Sequence, residues 1–468
     1  ARVLGLDASH PIDVRQPFNE LGFDSLLALD LRNTLQSGLS VNLAAAAIFE
    51  RPTIDGLAAF IARDLLHLPV EERIEEPAAA MLDLGAEAVL DPAIHPAPIA
   101  AYGPPVAILL TGATGFLGAY YLRELLERTT ADVYCLVRAR SIEEGRRRLE
   151  EKLVAPNPRA IPVLGDLAQP GLGIEPAQYQ ELAARIDTIF HSGAVVNFIH
   201  SYQSLKPAAV LGTQEVLRFA GHLRTKRLHH ISTVAVFTTP YYRTADVLLE
   251  NDPVEHWQGL MVGYAQSKWV AEKLVQIARS RAMPVAIYRP GMITGDSRSG
   301  ECKLDDFMPR MIRGCIQLGA APDMRGFVMD LVPVDYCARA TVALSLRDSS
   351  LGKAFNLLNP PAIHWNHIVE RIREFGYPVA SVAYPEWLDL LREAPPDNAL
   401  IYLLPVLDGL SDELFTWPHA DSSNTHEGLV GSGVVCPPAE ELLETYLSYF
   451  VRVGYLPAPG EKIGVSAH

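Results

Sequence analysis

The chain has 468 residues, of which 49% are apolar and 20% charged, and its formal net charge is -15. This length exceeds one ordinary core, so two to four domains are expected, and the composition excludes a disordered or fibrous chain. The negative charge argues against nucleic acid as a partner, and no apolar run approaches the ~20 residues that a membrane helix needs.

The chain begins at Ala1 without an initiator methionine or a basic-then-apolar leader. From this start we expect an excised fragment rather than a secreted precursor. The five cysteines are widely scattered and lack metal-ligand spacing. We therefore expect reduced thiols in a cytoplasmic enzyme, with neither a metal nor a disulfide.

Residues 1–68 show helical periodicity after two helix-start signals, at 24–25 and 52–53. We predict a small all-α four-helix domain. Ser25 lies at the first of these starts, beside the positive end of a helix dipole, which suits a covalently attached phosphodiester. A simple Asp-Ser helix cap would explain the same residues.

Residues 69–104 are rich in proline and contain an acidic run at 71–76. Such a segment cannot form one continuous packed element, so we predict a linker. Residues 78–90 could instead form a short helix docked on the next domain. That second domain could then begin before its first strand.

From residue 105, apolar runs of about five residues alternate with amphipathic helical stretches. This alternation is typical of a parallel sheet covered on both faces. We predict an α/β fold, a Rossmann-type doubly wound domain, over residues 105–300. Beyond it the alternation is lost, and we predict a mainly helical substrate-binding subdomain over 301–468. The predicted strands are 106–110, 133–137, 188–190, 228–231 and 285–288.

A glycine-rich turn follows the first predicted strand and opens a helix. Its glycines permit a tight turn and let backbone amides approach a pyrophosphate at the helix N-terminus. A tight turn without a ligand is the alternative, but the strand-turn-helix context favours dinucleotide binding. The candidate cofactor-binding residues are Thr111, Gly112, Thr114, Gly115, Phe116, Leu117 and Gly118.

Arg138 ends the second predicted strand, where an NAD enzyme places an acidic residue for the ribose hydroxyls. Arginine pairs well with a 2′-phosphate and Arg140 lies close by, so NADPH is favoured over NADH. A solvated arginine at a strand end is the alternative. After the third strand, Asp166 could lie near the adenine or be an ordinary turn residue.

Tyr264 and Lys268 are four residues apart and therefore share one helical face. A tyrosine with a pKa of about 10 is a poor proton donor-acceptor at neutral pH unless a cation stabilises the phenolate, which Lys268 can do. Ser232 and Thr233 end a predicted strand, where one hydroxyl could bond the oxygen being protonated. Such a pair also occurs by chance on solvated faces, but the preceding dinucleotide loop favours catalysis.

Taken together, these motifs resemble an extended short-chain dehydrogenase/reductase, specifically the thioester reductase domains of polyketide, peptide and carboxylic acid reductase assembly lines. The motifs that carry the resemblance are 111–118, 135–139, 165–167, 191–197, 232–233, Tyr264 with Lys268, and 288–291. The resemblance implies Thr233, rather than Ser232, as the catalytic hydroxyl. The further cofactor contacts that it implies are Leu167, Gly193, Ala194, Asn197, Tyr264, Lys268 and Pro290.

Residues 21–29 and 49–53 resemble an acyl or peptidyl carrier domain that lacks the start of its first helix. This resemblance implies that Ser25 bears 4′-phosphopantetheine, attached by a phosphopantetheinyl transferase. It also implies adenylation or ketosynthase modules upstream in the same synthase. The Gly-Phe-Asp-Ser form is closer to polyketide carriers than the Gly-Gly-Asp-Ser of carboxylic acid reductases, so the type of parent synthase stays open.

The resulting hypothesis is reductive release of a carrier-bound acyl thioester with NADPH, giving an aldehyde or, after a second hydride, an alcohol. A nucleotide-sugar epimerase or dehydratase is one rival, and the fused carrier argues against it. A redox-inactive cyclase is a second rival, which the intact Tyr264, Lys268 and glycine loop oppose. A dinucleotide-sensing module is the third, and NADPH binding without turnover would favour it.

Overall fold

A computed structural model describes residues 82–98, 103–408 and 419–460, together with 53–66 and scattered positions between 14 and 68. Its strands are β1 (Ala107–Thr111), β2 (Asp132–Val137), β3 (Ala160–Leu164), β4 (Thr188–His191), β5 (Arg227–Ile231), β6 (Val247–Leu248), β7 (Val285–Pro290), β8 (Met292–Thr294), β9 (Ala320–Pro322), β10 (Val328–Met329), β11 (Leu331–Pro333), β12 (Ala354–Leu357), β13 (Ile363–His364), β14 (Ala380–Val382) and β15 (His419–Ala420). Seven of these strands form one central sheet, and the other eight pair two by two.

The central sheet is parallel, in the order β12-β7-β5-β4-β1-β2-β3. The chain runs outward from β1 to β3 and then restarts at β4 on the other side of β1. At such a reversal, doubly wound sheets bind ligands outside the carboxyl ends of their strands. The predicted doubly wound fold is confirmed, and the loops after β1 and β4 flank the expected crevice.

Helices cover both faces of the sheet. The helices are α1 (Ile54–Phe60), α2 (Leu84–Glu87), α3 (Phe116–Arg128), α4 (Ile142–Glu150), α5 (Pro176–Arg185), α6 (Tyr202–Lys206), α7 (Gly212–Gly221), α8 (Pro240–Arg243), α9 (Gly263–Ser280), α10 (Phe307–Leu318), α11 (Val334–Ser345), α12 (Trp365–Glu374), α13 (Tyr384–Arg392), α14 (Leu404–Leu407), α15 (Ser423–Leu429) and α16 (Ala439–Arg452). In β1, Ile108 and Leu110 pack with α3 and α11, whereas Ala107 and Leu109 pack with α7 and α9. Because both faces of the strand are covered, its residues are uniformly apolar rather than alternating.

A second apolar core is built after residue 300 from α10, α12, α13 and α16. The stretch 332–357 does not belong to it, because α11 packs on α3 and β12 pairs with β7. The predicted end of the Rossmann domain near residue 300 is therefore wrong for this stretch. Without β12, the buried strand β7 would present an unpaired edge, which folded proteins avoid.

The residues just before β1 pack against the Rossmann domain. Leu84, Leu90 and Ile94 are buried in its core, and the Arg281 guanidinium donates to the carbonyls of Leu90 and Ile94 at distances of 3.0 and 2.8 Å. Residues 82–98, predicted within the linker, are thus part of the folded domain. The alternative of a short docked helix is the one found, as α2.

Of the first 68 residues, the described part includes α1, whose start is capped by the Thr53 hydroxyl. Leu57 and Ile61 are buried there in a small apolar cluster. Ser25 lies outside the described residues, so its role stays a prediction.

Across the ranges that the structure describes, no helix has both the length and the apolar character to cross a bilayer. Within the same ranges, no group of three or more His, Cys, Asp or Glu side chains could hold a metal ion. All five cysteines are free.

Candidate active site

The turn after β1 is a cradle that side chains would fill. Gly112 has a φ of +79°, and a Cβ there would lie 2.9 Å from the Gly193 backbone. A Cβ on Gly118 would lie 1.9 Å from the Gly112 carbonyl oxygen. Glycine is therefore required at both positions, and the cradle fits a dinucleotide pyrophosphate at the N-terminus of α3. The other predicted residues of the turn are partly or fully exposed at its mouth: Thr114, Gly115, Phe116 and Leu117.

A buried chain of hydrogen bonds joins the loops after β1 and β4. The Gly193 N–H donates to the Thr111 hydroxyl (2.9 Å), which contacts His191 Nδ1 (2.8 Å), while His191 Nε2 contacts Thr213 (3.0 Å). Thr213 uses its own proton on the Ala209 carbonyl (2.6 Å), so it accepts from Nε2–H. Burial lowers the pKa of His191 to about 3, which leaves Nδ1 as an acceptor for the Thr111 hydroxyl. These hydrogen bonds fix the spacing between the loop after β1 and the loop after β4.

The three predicted catalytic side chains meet at the carboxyl end of β5. The Thr233 side chain lies near Tyr264, in the first turn of α9, and lowers its pKa. One turn along, the Lys268 Nζ donates to the Ile231 carbonyl at 2.5 Å. The structure thus brings Thr233, Tyr264 and Lys268 together beside the crevice, an arrangement suited to donating a proton to a carbonyl oxygen.

Burial shifts the pKa values of both Tyr264 and Lys268 in this group. Desolvation, with a further contribution from Asp306, raises the pKa of Tyr264 to about 12, against the hydrogen bond from Thr233. Burial lowers the pKa of Lys268 to about 8, although Glu272 raises it in part. Desolvation is thus the main cause of the raised pKa of Tyr264, and the Lys268 Nζ bonds to the end of β5.

Arg138 and Arg140 lie exposed beyond the carboxyl end of β2. Their backbone is held by α4, because Arg148 donates to the Arg138 carbonyl (2.7 Å) and Glu144 accepts from the Arg140 N–H (2.9 Å). Both residues are consequently held at the carboxyl edge of the sheet, with their side chains exposed. Their predicted contact with a 2′-phosphate stays a prediction.

Asp166 and Leu167 follow β3 and differ in what their side chains do. The Asp166 carboxylate accepts from the Ala168 N–H (3.0 Å), which is a bond typical of an ordinary turn residue. Leu167 packs against Gly193, since a Cβ on that glycine would lie 2.5 Å from the leucine Cδ1. Pro290 ends β7 and is buried. Leu167 and Gly193 therefore share one wall of the crevice.

Asn197 has structural partners at both ends of its side chain. Its oxygen accepts from the N–H groups of Ile199 (2.9 Å) and His200 (3.0 Å), and its nitrogen donates to the Tyr402 hydroxyl (3.0 Å). These bonds shape the loop after β4 and tie it to the C-terminal subdomain. The predicted cofactor contact of Asn197 stays a prediction; Ala194, in the same loop, is exposed.

Aromatic contacts connect the catalytic group to the C-terminal subdomain. The Phe198 ring meets Tyr264 edge-on at 6.0 Å and Phe307, at the start of α10, at 6.2 Å. A narrow cavity lies next to them, lined by residues that include Phe116, Thr294, Asp306 and Met308. The subdomain after residue 300 therefore supplies part of the wall around the site.

Sequence reasoning missed the buried carboxylate at the centre of α9. Glu272 and Arg289 are 0% and 1% exposed and form an ion pair of 2.6 Å. The Ser232 hydroxyl also donates to Glu272. Two signals were present in the sequence: Glu272 follows Lys268 by one helical turn, and Arg289 is a charge within an otherwise apolar strand.

The geometry defines a class: a doubly wound, dinucleotide-dependent oxidoreductase with a Thr-Tyr-Lys group at the reversal of its sheet.

Family models agree, since residues 110–341 match an NAD-binding model described as male sterility protein and residues 1–61 match the phosphopantetheine attachment site. The terminal R domain of the myxalamid polyketide-peptide pathway is 42% identical, with a TM-score of 0.75, over 80% of this chain and 98% of that domain. The chain belongs to the terminal reductase domains of such synthases, joined to a phosphopantetheine carrier segment, and is an NAD(P)H-dependent oxidoreductase.

Other relatives align with both the carrier segment and the reductase domain of this chain. A linear gramicidin synthase subunit of Brevibacillus parabrevis is 40% identical over 463 residues, which are 95% of this chain and 9% of that protein. L-2-aminoadipate reductase of Schizosaccharomyces pombe is 31% identical over 515 residues, covering 97% of this chain and 35% of that enzyme. An archaeal thiolation-reductase di-domain, 22% identical with a TM-score of 0.69, shares the fold over 97% of this chain and 96% of its own. This chain thus spans a minor part of these two curated relatives.

Proposed function

We propose that this chain reduces an acyl thioester held on its own carrier segment, using NADPH, and releases an aldehyde and the free carrier thiol. The observation that carries the proposal is the grouping of Thr233, Tyr264 and Lys268 at the crevice, in a chain whose first 61 residues match a phosphopantetheine attachment site. A carrier in the same chain supplies a thioester rather than a diffusible sugar nucleotide as the substrate.

The residues present fit NADPH. Gly112 and Gly118 leave the space for a pyrophosphate, and the exposed Arg138 and Arg140 are available to a 2′-phosphate. When bound, NADPH supplies the hydride that reduces the thioester carbonyl carbon. The remaining proposed cofactor contacts are Thr111, Thr114, Gly115, Phe116, Leu117, Asp166, Leu167, Gly193, Ala194, Asn197, Tyr264, Lys268 and Pro290.

The proton chemistry is assigned to the chain's own side chains. With a pKa of about 12, Tyr264 is protonated at neutral pH and can donate its proton to the carbonyl oxygen as negative charge develops there. Thr233 donates a hydrogen bond, and Lys268 holds the strand end. When the hemithioacetal collapses, Tyr264 takes the hydroxyl proton back, the C–S bond breaks, and the leaving sulfur gains a proton. The sum is thioester, NADPH and one proton to aldehyde, thiol and NADP⁺.

The partners follow from the carrier segment. We propose that Ser25 bears 4′-phosphopantetheine installed by a phosphopantetheinyl transferase, and that upstream synthase modules load the acyl chain. The relatives support this because they are multidomain synthases. Five free cysteines suit the reducing environment of the cytoplasm, where we place the enzyme.

The test is NADPH oxidation by the phosphopantetheinylated, acyl-loaded chain under single-turnover conditions, with Ser25→Ala and Tyr264→Phe alongside. We expect the wild type to oxidise NADPH and neither variant to do so. One equivalent per chain indicates aldehyde release, and two indicate the alcohol. If the loaded wild type binds NADPH without oxidising it across a range of acyl lengths, the proposal fails and a cyclase or sensing role replaces it.

A further inference from the structure

Three successive residues at the end of β5 each lie near a different turn of α9. The Ile231 carbonyl accepts from Lys268, and the Thr233 side chain lies next to Tyr264. Between them, the Ser232 hydroxyl donates to the Glu272 carboxylate at 2.5 Å. The helix residues involved are 264, 268 and 272, which are four apart and share one face. Together with Lys268, Glu272 thus attaches the catalytic strand end to the catalytic helix by hydrogen bonds.

The Glu272 carboxylate is itself fixed on every side. Arg289 donates to it through Nε (3.1 and 3.2 Å) and Nη2 (2.6 Å), and Gln276 donates at 2.9 Å. Arg289 Nη1 is in turn bound to the Glu250 carbonyl at 2.9 Å. Burial alone would raise the pKa of Glu272, but the Arg289 charge and the hydrogen bonds hold it below its ordinary value. Glu272 is therefore a fixed negative charge within the protein.

A buried ion pair such as Glu272–Arg289 is an energetically unfavourable way to stabilise a fold. Taking two charges out of water costs several kcal/mol per ion, and a well-packed apolar pair of similar volume is often as stable or more stable. A purely structural role could be filled more simply at these positions. What an apolar pair could not provide is the hydrogen bond to Ser232 and a negative charge one turn from Lys268.

The charge matters because the other titratable groups near Lys268 are neutral. His191 on β4 and His230 on β5 both interact with Lys268, and burial lowers the pKa of each far below its ordinary value. Tyr264, on the same helix, is protonated as well. Glu272 is the group that raises the pKa of Lys268 against desolvation.

We propose that Glu272 is a positioning residue for the reduction: fixed by Arg289, its carboxylate places Thr233 through Ser232 and keeps a negative charge beside Lys268. This proposal rests on the proposed function for its kinetic consequences only. The position and charge of Lys268 are properties of the chain that can be measured without any turnover.

The first experiment follows the protonation of Lys268 in the full-length chain labelled with ¹³C-lysine, with the resonance assigned by its loss in Lys268→Arg. Glu272→Gln keeps the size of the side chain but removes its charge. Because a nearby opposite charge favours the charged form, we expect the Lys268 midpoint to fall by about one pH unit or more. Glu255→Gln is the matched control: it breaks the exposed pair with Lys273 on the same helix and should leave the midpoint unchanged.

The second experiment measures the pH profile of kcat for NADPH oxidation by the loaded chain. We expect the fall of kcat at alkaline pH to move to lower pH in Glu272→Gln, with the Kd for NADPH little changed. An unaltered Lys268 midpoint in the folded Glu272→Gln protein would overturn the proposal. If the wild type does not oxidise NADPH, the proposed function is overturned instead. The Lys268 titration can still be interpreted in that case.

A third variant decides the matter if Glu272→Gln does not fold. Ser232→Ala leaves the ion pair intact and removes only the bond between Glu272 and the strand end. We expect kcat to fall at least about tenfold, the worth of one hydrogen bond to a charged group, without a change in the Lys268 midpoint. Wild-type kcat in Ser232→Ala would contradict the positioning role.

Discussion

The two sides of the crevice handle charge in opposite ways. On the catalytic side, Lys268, Glu272 and Arg289 are almost wholly buried, and each has a specific protein partner. On the cofactor-phosphate side, Arg138 and Arg140 lie exposed at the end of β2. Because electrostatic interactions strengthen as water is excluded, substitutions on the catalytic side should alter rate and stability, whereas those on the phosphate side should alter selectivity alone.

The largest effect is expected from Tyr264→Phe, which removes one hydroxyl from the catalytic side. We expect kcat for NADPH oxidation to fall ~10²–10⁴-fold, the usual contribution of a positioned acid, with the Kd for NADPH nearly unchanged. Stopped-flow absorbance of NADPH and equilibrium fluorescence titration measure the two quantities. A loss of less than about threefold would assign the proton donor elsewhere.

Arg289→Ala leaves the buried Glu272 carboxylate without its ionic partner. We expect the free energy of unfolding to fall by about 3–5 kcal/mol, measured by urea denaturation. Arg147→Ala breaks the exposed Arg147–Glu151 pair of 2.6 Å and should cost at most about 1 kcal/mol. Similar losses in both variants would show that burial does not separate the two classes of ion pair.

The buried histidines make stability depend on pH. Burial lowers the pKa of His191 and His229 to about 3, whereas the unfolded chain keeps ordinary values. At a pH between the folded-state and unfolded-state pKa values, the unfolded chain binds more protons than the folded protein. The free energy of unfolding should therefore fall on acidification below about pH 6.5, by up to ~1.4 kcal/mol per pH unit for each histidine. Urea denaturation from pH 7 to 5 measures this slope, which should persist after substitution of the exposed His364 by Gln and shrink in His191→Gln.

The smallest effect is expected on the phosphate side, from Arg138→Ala and Arg140→Ala. Each variant should lower the preference for NADPH over NADH by about tenfold, because each loses one charged hydrogen bond to the 2′-phosphate. Their unfolding free energies should stay within about 0.5 kcal/mol of wild type, since both residues are exposed. Dissociation constants for the two cofactors test this, and an unchanged preference would place the 2′-phosphate elsewhere.

Much of the site was accessible from sequence because its determinants are local. The glycine turn after β1 requires its residue types for steric reasons, and the spacing of Tyr264 and Lys268 specifies one helical face. Strands buried on both faces are uniformly apolar, so the first strands of the sheet were identified. Each of these signals lies within a sequence segment of ten residues or fewer.

What escaped prediction depends on contacts between distant segments. The pairing of Glu272 with Arg289 needs α9 to lie against β7, and the three bonds from Arg281 need the residues before β1 to fold back. The bond from Asn197 to the Tyr402 hydroxyl likewise joins segments that are 205 residues apart in the sequence. Propensity and spacing cannot report such partners.

The outer strand β12 has a consequence for engineering. The chain leaves the Rossmann domain after β8, returns for β11 to β12, leaves again, and returns once more for β15 and α15 before α16. The C-terminal subdomain is therefore built from three separate segments rather than one appended block. A chimera that borrows acyl selectivity from another synthase would have to be joined at the ends of all three segments. A single crossover near residue 300 would combine the sheet of one parent with the edge strand of the other.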